Sequence, residues 1–316
     1  MKELLDYLAT TPENGRFQAW QIERIGGSAN NILYRATCEE TNLAVKFTIR
    51  DARRRAWREY NAFQAAHEAG IPILPKPILL DEETYAQPVV VAQWMAGEVT
   101  AVPPQTDDEW TQFLELYVKL REITPETTTL DIPQGLINFA SVQEGMEQIE
   151  IQCTHIPDEH YPEQLKALLA QLETFPDGPP ASESPIALCH VDANTLNFLR
   201  HPAGWRSVDW ENAGWGDPAF EIVDTMTHPQ YMEVSESRWD WFVQKYGEMS
   251  GDETAVARIR RTYPLMLVWW VARLSRALYE IPLGKDERLV KRPSNWQADL
   301  QMKLDWYAQR AEKALR

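Results

Sequence analysis

The stretch from Ile186 to Asp224 leaves this chain the least freedom. Its apolar run Ile186–Cys189 predicts a short strand that delivers His190 and Asp192 into a polar loop. Asn197 stands five residues after Asp192, and Phe198-Leu199 begin a second strand. The turn His201-Pro202-Ala203-Gly204 then returns the chain through Trp205 to Val208 as a hairpin partner, with Asp209 at its end. One β-loop-β unit can therefore gather Asp192, Asn197 and Asp209. Phosphoryl transfer from ATP needs this set of groups. One carboxylate orients a hydroxyl and accepts its proton, while an amide oxygen and a second carboxylate hold Mg²⁺.

The spacing His-x-Asp-x-x-x-x-Asn equals that of the kinase catalytic loop, and a strand-ending Asp follows where a metal-binding Asp belongs. Two segments carry a wider likeness: His190-Val191-Asp192 to Asn197, and Val208-Asp209-Trp210-Glu211-Asn212-Ala213-Gly214-Trp215-Gly216-Asp217-Pro218. They resemble the aminoglycoside phosphotransferase / choline kinase superfamily, which shows His-Gly-Asp-x-x-x-x-Asn and then Ile-Asp-Trp-Glu-x-Ala-x-x-Gly-Asp-Pro. Val191 replaces the usual Gly, and Glu221 stands where Asp is more frequent, a position more structural than catalytic. The resemblance implies an α+β, two-lobed protein-kinase-like fold. Its N-lobe is a small antiparallel β-sheet with one helix, and its C-lobe is larger and mainly helical. It also implies ATP as donor, Asp192 as the catalytic base, and Asn197 and Asp209 as Mg²⁺ ligands. A polar hairpin without chemistry explains either segment alone, but not both in order at a hairpin's separation.

A chain of 316 residues is long for one core, so two lobes are expected. The resemblance divides them into 1–97, a nucleotide-binding lobe ending in a hinge, and 98–316, a helical lobe with catalytic loop, metal site and acceptor pocket. Cys38, Cys153 and Cys189 are odd in number and lack metal-type spacing. Neither a disulfide framework nor a zinc site is expected, and a reducing cytoplasm is the default. The N-terminal segment has no signal-peptide apolar region, and the longest apolar run, Tyr263 to Ala272, is too short to span a bilayer. A net charge of −16 argues against nucleic acid as partner. It is compatible with a cationic acceptor, although acidity mostly reflects solubility. Oligomeric state stays open.

Met1 to Arg16 predicts a short amphipathic helix and its exit turn. Trp20–Glu23 starts a strand, Gly26 to Asn31 interrupts it, Ile32–Thr37 resumes it, and Leu43–Ile49 forms a third. Gly27 and Ser28 would line a phosphate flap, where small residues let backbone N–H groups approach anionic oxygens. Alone this signal is weak, because a Gly-Gly hairpin is more often only a hairpin. Lys46, in Ala44-Val45-Lys46-Phe47, resembles the strand lysine that meets nucleotide phosphates. A helix from Arg53 to Ala69 follows from Trp57, Tyr60, Phe63 and Ala66, with Gly70 ending it and Pro72 blocking continuation. Glu59 is the candidate partner that keeps Lys46 aimed at phosphate, and Glu68 is its rival. The family's Gly-φ-Pro-φ-x-Pro after that helix matches Gly70, Pro72 and Pro75. The run Arg53-Arg54-Arg55-Arg58 is expected to be a solvated helix start. Pro77–Leu80 and Pro88–Ala92 are two further strands. The resemblance implies that main-chain groups of Gln93 and Met95, at the exit from the sheet, bind adenine.

Thr106-Asp107-Asp108-Glu109 is a capping box for a helix from Trp110 to Ile123. Helices are also expected over 141–152, 162–175, 219–226, 235–246, 253–279 and 294–315. Asp217 is expected to cap or anchor a loop, and His190 to brace the catalytic loop; Asn194 is unassigned. Trp269 and Trp270 belong first to the core, with an aromatic border to the acceptor as the second reading.

Together these readings lead to an ATP-dependent phosphotransferase acting on a hydroxyl of a small molecule: an aminoglycoside, a choline-like amino alcohol or a sugar. A catalytically silent nucleotide-binding regulator of the same fold is the competing class. Retention of Lys46, Glu59, Asp192, Asn197 and Asp209 argues against it. A protein kinase fits less well, since Asp-Trp-Glu replaces Asp-Phe-Gly and no Ala-Pro-Glu segment follows.

Overall fold

Period-two burial builds a six-stranded antiparallel sheet from the N-terminal part of the chain. A computed structural model describes residues 1–26, 30–180, 184–285 and 292–316. The strands are β1 (Gly15–Phe17), β2 (Trp20–Ile25), β3 (Asn31–Cys38), β4 (Thr41–Thr48), β5 (Pro77–Asp81) and β6 (Val89–Gln93), in the spatial order β1-β2-β3-β4-β6-β5. Leu43, Val45 and Phe47 alternate onto one face, where helix α1 (Lys2–Leu8) covers them with Leu4, Leu5 and Leu8. Lys46 falls on the other face, opposite Val90, toward helix α2 (Arg55–Glu68). Alternation thus decides which way the lysine points. β1 was not expected, and it extends the sheet by pairing with β2 after the exit turn of α1.

The buried stripe of α2 is Ala56, Glu59, Ala62, Phe63 and Ala66. It is rotated from the expected Trp57–Tyr60 line, so Glu59 sits at its centre and Trp57 turns outward under the Arg54 guanidinium. Gly70 ends the helix with φ 73°, a left-handed conformation that glycine takes without penalty.

The C-terminal part is helical: α3 (Asp107–Leu120), α4 (Val142–Cys153), α5 (Glu163–Leu172), α6 (Phe220–Thr227), α7 (Glu236–Ser250), α8 (Ala255–Glu280) and α9 (Trp296–Ala314). α3 starts earlier than the apolar pattern implies because Thr106 Oγ1 accepts the Glu109 N–H at 3.2 Å. α8 is apolar nearly all round through Leu265–Val268 and packs against α4, α6, α7 and α9, as a central helix must. Among the described residues no helix is long and apolar enough to cross a membrane, and Cys38, Cys153 and Cys189 are free thiols.

Between these parts lie β7 (Glu98–Val99), β8 (Ala187–Cys189), β9 (Phe198–Arg200), β10 (Arg206–Ser207) and β11 (Gly214–Gly216). The expected hairpin is β9 with β10, and β7 joins its other edge. β11 folds back antiparallel on β8, pairing Gly214 with Cys189, a contact no local pattern announces.

Phe113 of α3 supports this unit from below. It is fully buried against Phe198, Trp205 and Tyr117, at centroid distances of 4.8, 5.1 and 5.0 Å. Phe113→Ala should cost about 3–5 kcal/mol in urea unfolding, the range for truncating a buried aromatic. A loss below about 1 kcal/mol would show that the hairpin does not rest on this ring.

Candidate active site

The loop after β8 is held from beneath by carboxylates of α6. Glu221 accepts the backbone N–H groups of His190 at 3.0 Å and Val191 at 3.2 Å, and Asp224 accepts that of Ala193 at 2.9 Å. Burial pushes the Glu221 carboxyl up to about 7 and raises Asp224 well above the usual carboxylate range. Val191 has φ 60°, a left-handed conformation costly for a β-branched residue. The facing segment compensates: a Cβ on Gly135 would meet Val191 Cγ2 at 2.8 Å, so Gly135 makes room for that side chain.

His190 is a brace, as expected. Its Nε2 bonds the Val208 carbonyl at 3.0 Å, and its ring lies edge-on to the buried Trp210 at 4.7 Å. Burial lowers its pKa and keeps the ring neutral. His190 therefore ties the loop carrying Asp192 to the strand end carrying Asp209.

Asp192 stands half-buried in that loop. Its Oδ1 accepts the Asn194 N–H at 3.3 Å, and its backbone oxygen accepts from Asn197 Nδ2 at 3.3 Å. The amide nitrogen of Asn197 is thereby used, and its amide oxygen is the atom left for a cation. Asn194 accepts the Leu196 N–H at 3.0 Å and closes the turn. Burial first, and then the charge of Asp209, pushes the Asp192 carboxyl up to about 7. His228 Nε2 lies 3.8 Å from Asp192 Oδ1. Its Nδ1 accepts the Gln230 N–H at 3.4 Å, which leaves the proton on Nε2, and burial lowers this imidazole to about 3. His228 was not foreseen: a lone histidine after α6 carries no spacing signal.

Lys46, Glu59 and Asp209 meet as expected, and Glu211 joins them. Lys46 Nζ bonds Glu59 Oε2 at 2.7 Å, pairs with Asp209, and lies 3.7 Å from Glu211 Oε2. Burial alone would lower its pKa, but Asp209, Glu59 and Glu211 raise it above the ordinary lysine value. Asp209 is held below its ordinary value: burial raises it, and the Lys46 charge outweighs that. Asp209 has φ 63°, a left-handed conformation that Asp tolerates.

The arginine run divides: Arg53 and Arg54 are exposed, as a solvated helix start implies, whereas Arg55 and Arg58 correct that expectation. Arg55 is 5% exposed, paired with Glu211 and 2.9 Å from Asp51. Arg58 donates to the carbonyls of Gln134 and Ala213, each at 2.8 Å. Apart from Asp51, these partners, Glu211, Gln134 and Ala213, lie far along the chain, where no helical pattern shows them.

Carboxylates outnumber the cations among Asp192, Asp209, Glu211, Glu59, Lys46 and Arg55, and Glu211 Oε2 is buried without a hydrogen bond. A divalent cation would suit such an excess of hard oxygen donors, and Asn197 and Asp209 are the residues that could hold it. No cluster of three or more His, Cys, Asp or Glu able to hold a metal occurs among the described residues, so phosphate and water would complete the shell.

Gln93 ends β6 with its N–H bonded to the Lys76 carbonyl at 2.9 Å, and the Trp94 N–H bonds the Asn42 carbonyl at 2.9 Å, leading to Met95. Gly27 and Ser28 lie outside the described residues. Asp217 anchors its loop: it accepts the Ala219 N–H at 2.9 Å and pairs with Arg258 at 2.7 Å. Trp269 is buried, whereas Trp270 is half-buried, stacked on Tyr307 and 6.5 Å from the His228 ring.

The sequence profile of the phosphotransferase enzyme family matches residues 21–259, about three-quarters of the chain. Among solved structures, a putative aminoglycoside phosphotransferase from Ralstonia eutropha is similar with TM-score 0.68 at 14% identity, over 100% of this chain and 98% of that one. A choline/ethanolamine kinase family protein from Mesorhizobium loti has TM-score 0.62 at 19% identity, over 100% and 94%. Spectinomycin phosphotransferase, in complex with ADP and spectinomycin, has TM-score 0.60 at 13% identity, over 99% and 97%. No curated protein matches the sequence.

The Gly135–Val191 contact makes a prediction in two parts. Gly135→Ala should destabilise the protein by about 1–3 kcal/mol through overpacking. Val191→Gly in the same chain should recover part of that loss in urea unfolding. Strictly additive effects would show that the two positions do not compensate.

Proposed function

This chain belongs to the phosphotransferase enzyme family, and within it we propose an ATP-dependent kinase for a hydroxyl group of a small molecule. The observation that carries the reading is Asp192 on the same loop as Asn197 and across a hairpin from Asp209, with Asp209 bonded to Lys46 and Lys46 to Glu59. Residues 1–97 are assigned to the nucleotide, with the main chain at Gln93 and Met95 meeting adenine, and 98–316 to catalysis and the acceptor.

In this mechanism the acceptor oxygen attacks the γ-phosphorus as its proton passes to Asp192. The bond from that phosphorus to the ADP oxygen breaks, and the electron pair leaves with ADP. Asp192 has the basicity for this work: at about 7 a substantial fraction is ionised at neutral pH, and that fraction is a far better proton acceptor than an ordinary aspartate. The neutral His228 presents its Nε2–H toward the same carboxylate across 3.8 Å. Lys46, steadied by Glu59, supplies positive charge for the nucleotide phosphates. Mg²⁺ held by Asn197 and Asp209 would neutralise charge on the transferring group.

Mg²⁺-dependent ADP release across a panel of aminoglycosides, amino alcohols, sugars and hydroxy acids tests the proposal. Asp192→Asn should lower kcat by about 10²–10⁴-fold on any acceptor found. An unchanged rate would remove Asp192 from the mechanism. Because the base must be unprotonated, kcat/KM should climb about tenfold per pH unit below 7 and level off above it. A profile flat from pH 5.5 to 8 would contradict the assignment.

A further inference from the structure

The neighbours of Asp192 lead along one face of α8 to a group of guanidinium side chains. His228 Nε2 is 3.8 Å from Asp192 Oδ1, and the His228 ring is 6.5 Å from Trp270. Arg273 follows Trp270 at i+3, and Arg276 follows Arg273 at i+3, so the three lie along one side of the helix. Arg53, immediately before α2, brings a positive charge close to both.

These arginines are not neutralised alike. Arg276 bonds Glu280 at 2.7 Å and Gln152 Oε1 at 3.4 Å. Among the described residues, the carboxylate within ion-pair distance of the exposed Arg53 is Asp51, at 3.9 Å. Arg273 is half-buried, and among the described residues no carboxylate lies within ion-pair distance of it. Burial, and then the charges of Arg276, Arg53 and Arg292, hold its pKa down to about 10. Glu280, which acts in the opposite direction, is already bonded to Arg276.

Arg273 is thus a half-buried cation with no matching anion among the described residues and with like charges beside it, the exposed Arg53 and the Glu280-paired Arg276, and such an arrangement is costly. A visiting anion removes that cost, and guanidinium forks bind carboxylate and phosphate with defined geometry. We propose that the acceptor of this kinase carries an anionic group, a carboxylate or a phosphate monoester, bound by Arg273 and Arg53 while its hydroxyl meets Asp192. The inference rests on the kinase reading and narrows its substrate class. It also reverses the leaning toward a cationic acceptor that net charge alone gives.

The test compares kcat/KM by ADP release for glycerate, glycerol 3-phosphate, glycerol and choline. In parallel, inorganic phosphate is titrated calorimetrically into protein loaded with Mg·ADP. Both are run on the wild type, Arg273→Gln and Arg53→Gln, with thermal melts to confirm folding. The expected result is at least a tenfold preference for an anionic acceptor and a phosphate affinity that falls at least tenfold in Arg273→Gln. Which of glycerate and glycerol 3-phosphate leads separates a carboxylate from a phosphate group. Better turnover of glycerol or choline would overturn the proposal, as would phosphate affinity unchanged in folded Arg273→Gln. Mg·ATP titrated into the same samples reads the kinase assignment separately. Loss of ATP binding alongside an Arg273-dependent phosphate site would sink the kinase and keep the anion site.

Discussion

The charge balance at Lys46 governs the arrangement around it. One buried ammonium faces Glu59, Asp209 and Glu211, and the last of these is shared with the buried Arg55. In a low-dielectric cleft such groups are tolerable only if every partner is fixed, since removing one leaves a buried charge exposed to the rest. The lysine comes from the sheet, Glu59 and Arg55 from α2, and Asp209 and Glu211 from the segment after the hairpin. The network therefore joins the sheet to the helical part electrostatically. The remaining excess of negative charge is what a divalent cation on a nucleotide would complete.

The rest of the fold serves that geometry. Strand alternation turns Lys46 toward α2, and the helix end at Gly70 sets where the next strand begins. Glu221 and Asp224 act from below, holding the loop by the N–H groups of His190, Val191 and Ala193 at 2.9–3.2 Å. They need not touch substrate to matter, because a loop with φ 60° at Val191 keeps its shape only under such constraints. Their raised pKa values show how much burial is set against these bonds.

What was legible in the sequence follows from locality. Asp192, Asn197 and Asp209 lie within one hairpin unit, so spacing alone could gather them. Lys46 and Glu59 required the resemblance as well, yet their strand and helix were already clear from pattern. Glu221 was read as structural, and it is: it carries the loop. The surroundings of Arg55, Arg58, His228 and Arg273 were illegible because their neighbours, Glu211, Ala213, Asp192 and Arg53, are distant in sequence. A helical wheel sees charge at such positions but not what faces it. β11 escaped notice for the same reason, a three-residue strand that exists only through its pairing with β8.

Calorimetric titration of ATP with and without Mg²⁺, on the wild type and on Asp209→Ala, tests the central claim most directly. The account predicts that Mg²⁺ tightens ATP binding at least tenfold in the wild type, because the site's surplus carboxylates otherwise repel the phosphates. It also predicts that most of this gain disappears when Asp209 is removed. Equal affinity with and without Mg²⁺, or a Mg²⁺ effect undiminished in Asp209→Ala, would contradict it.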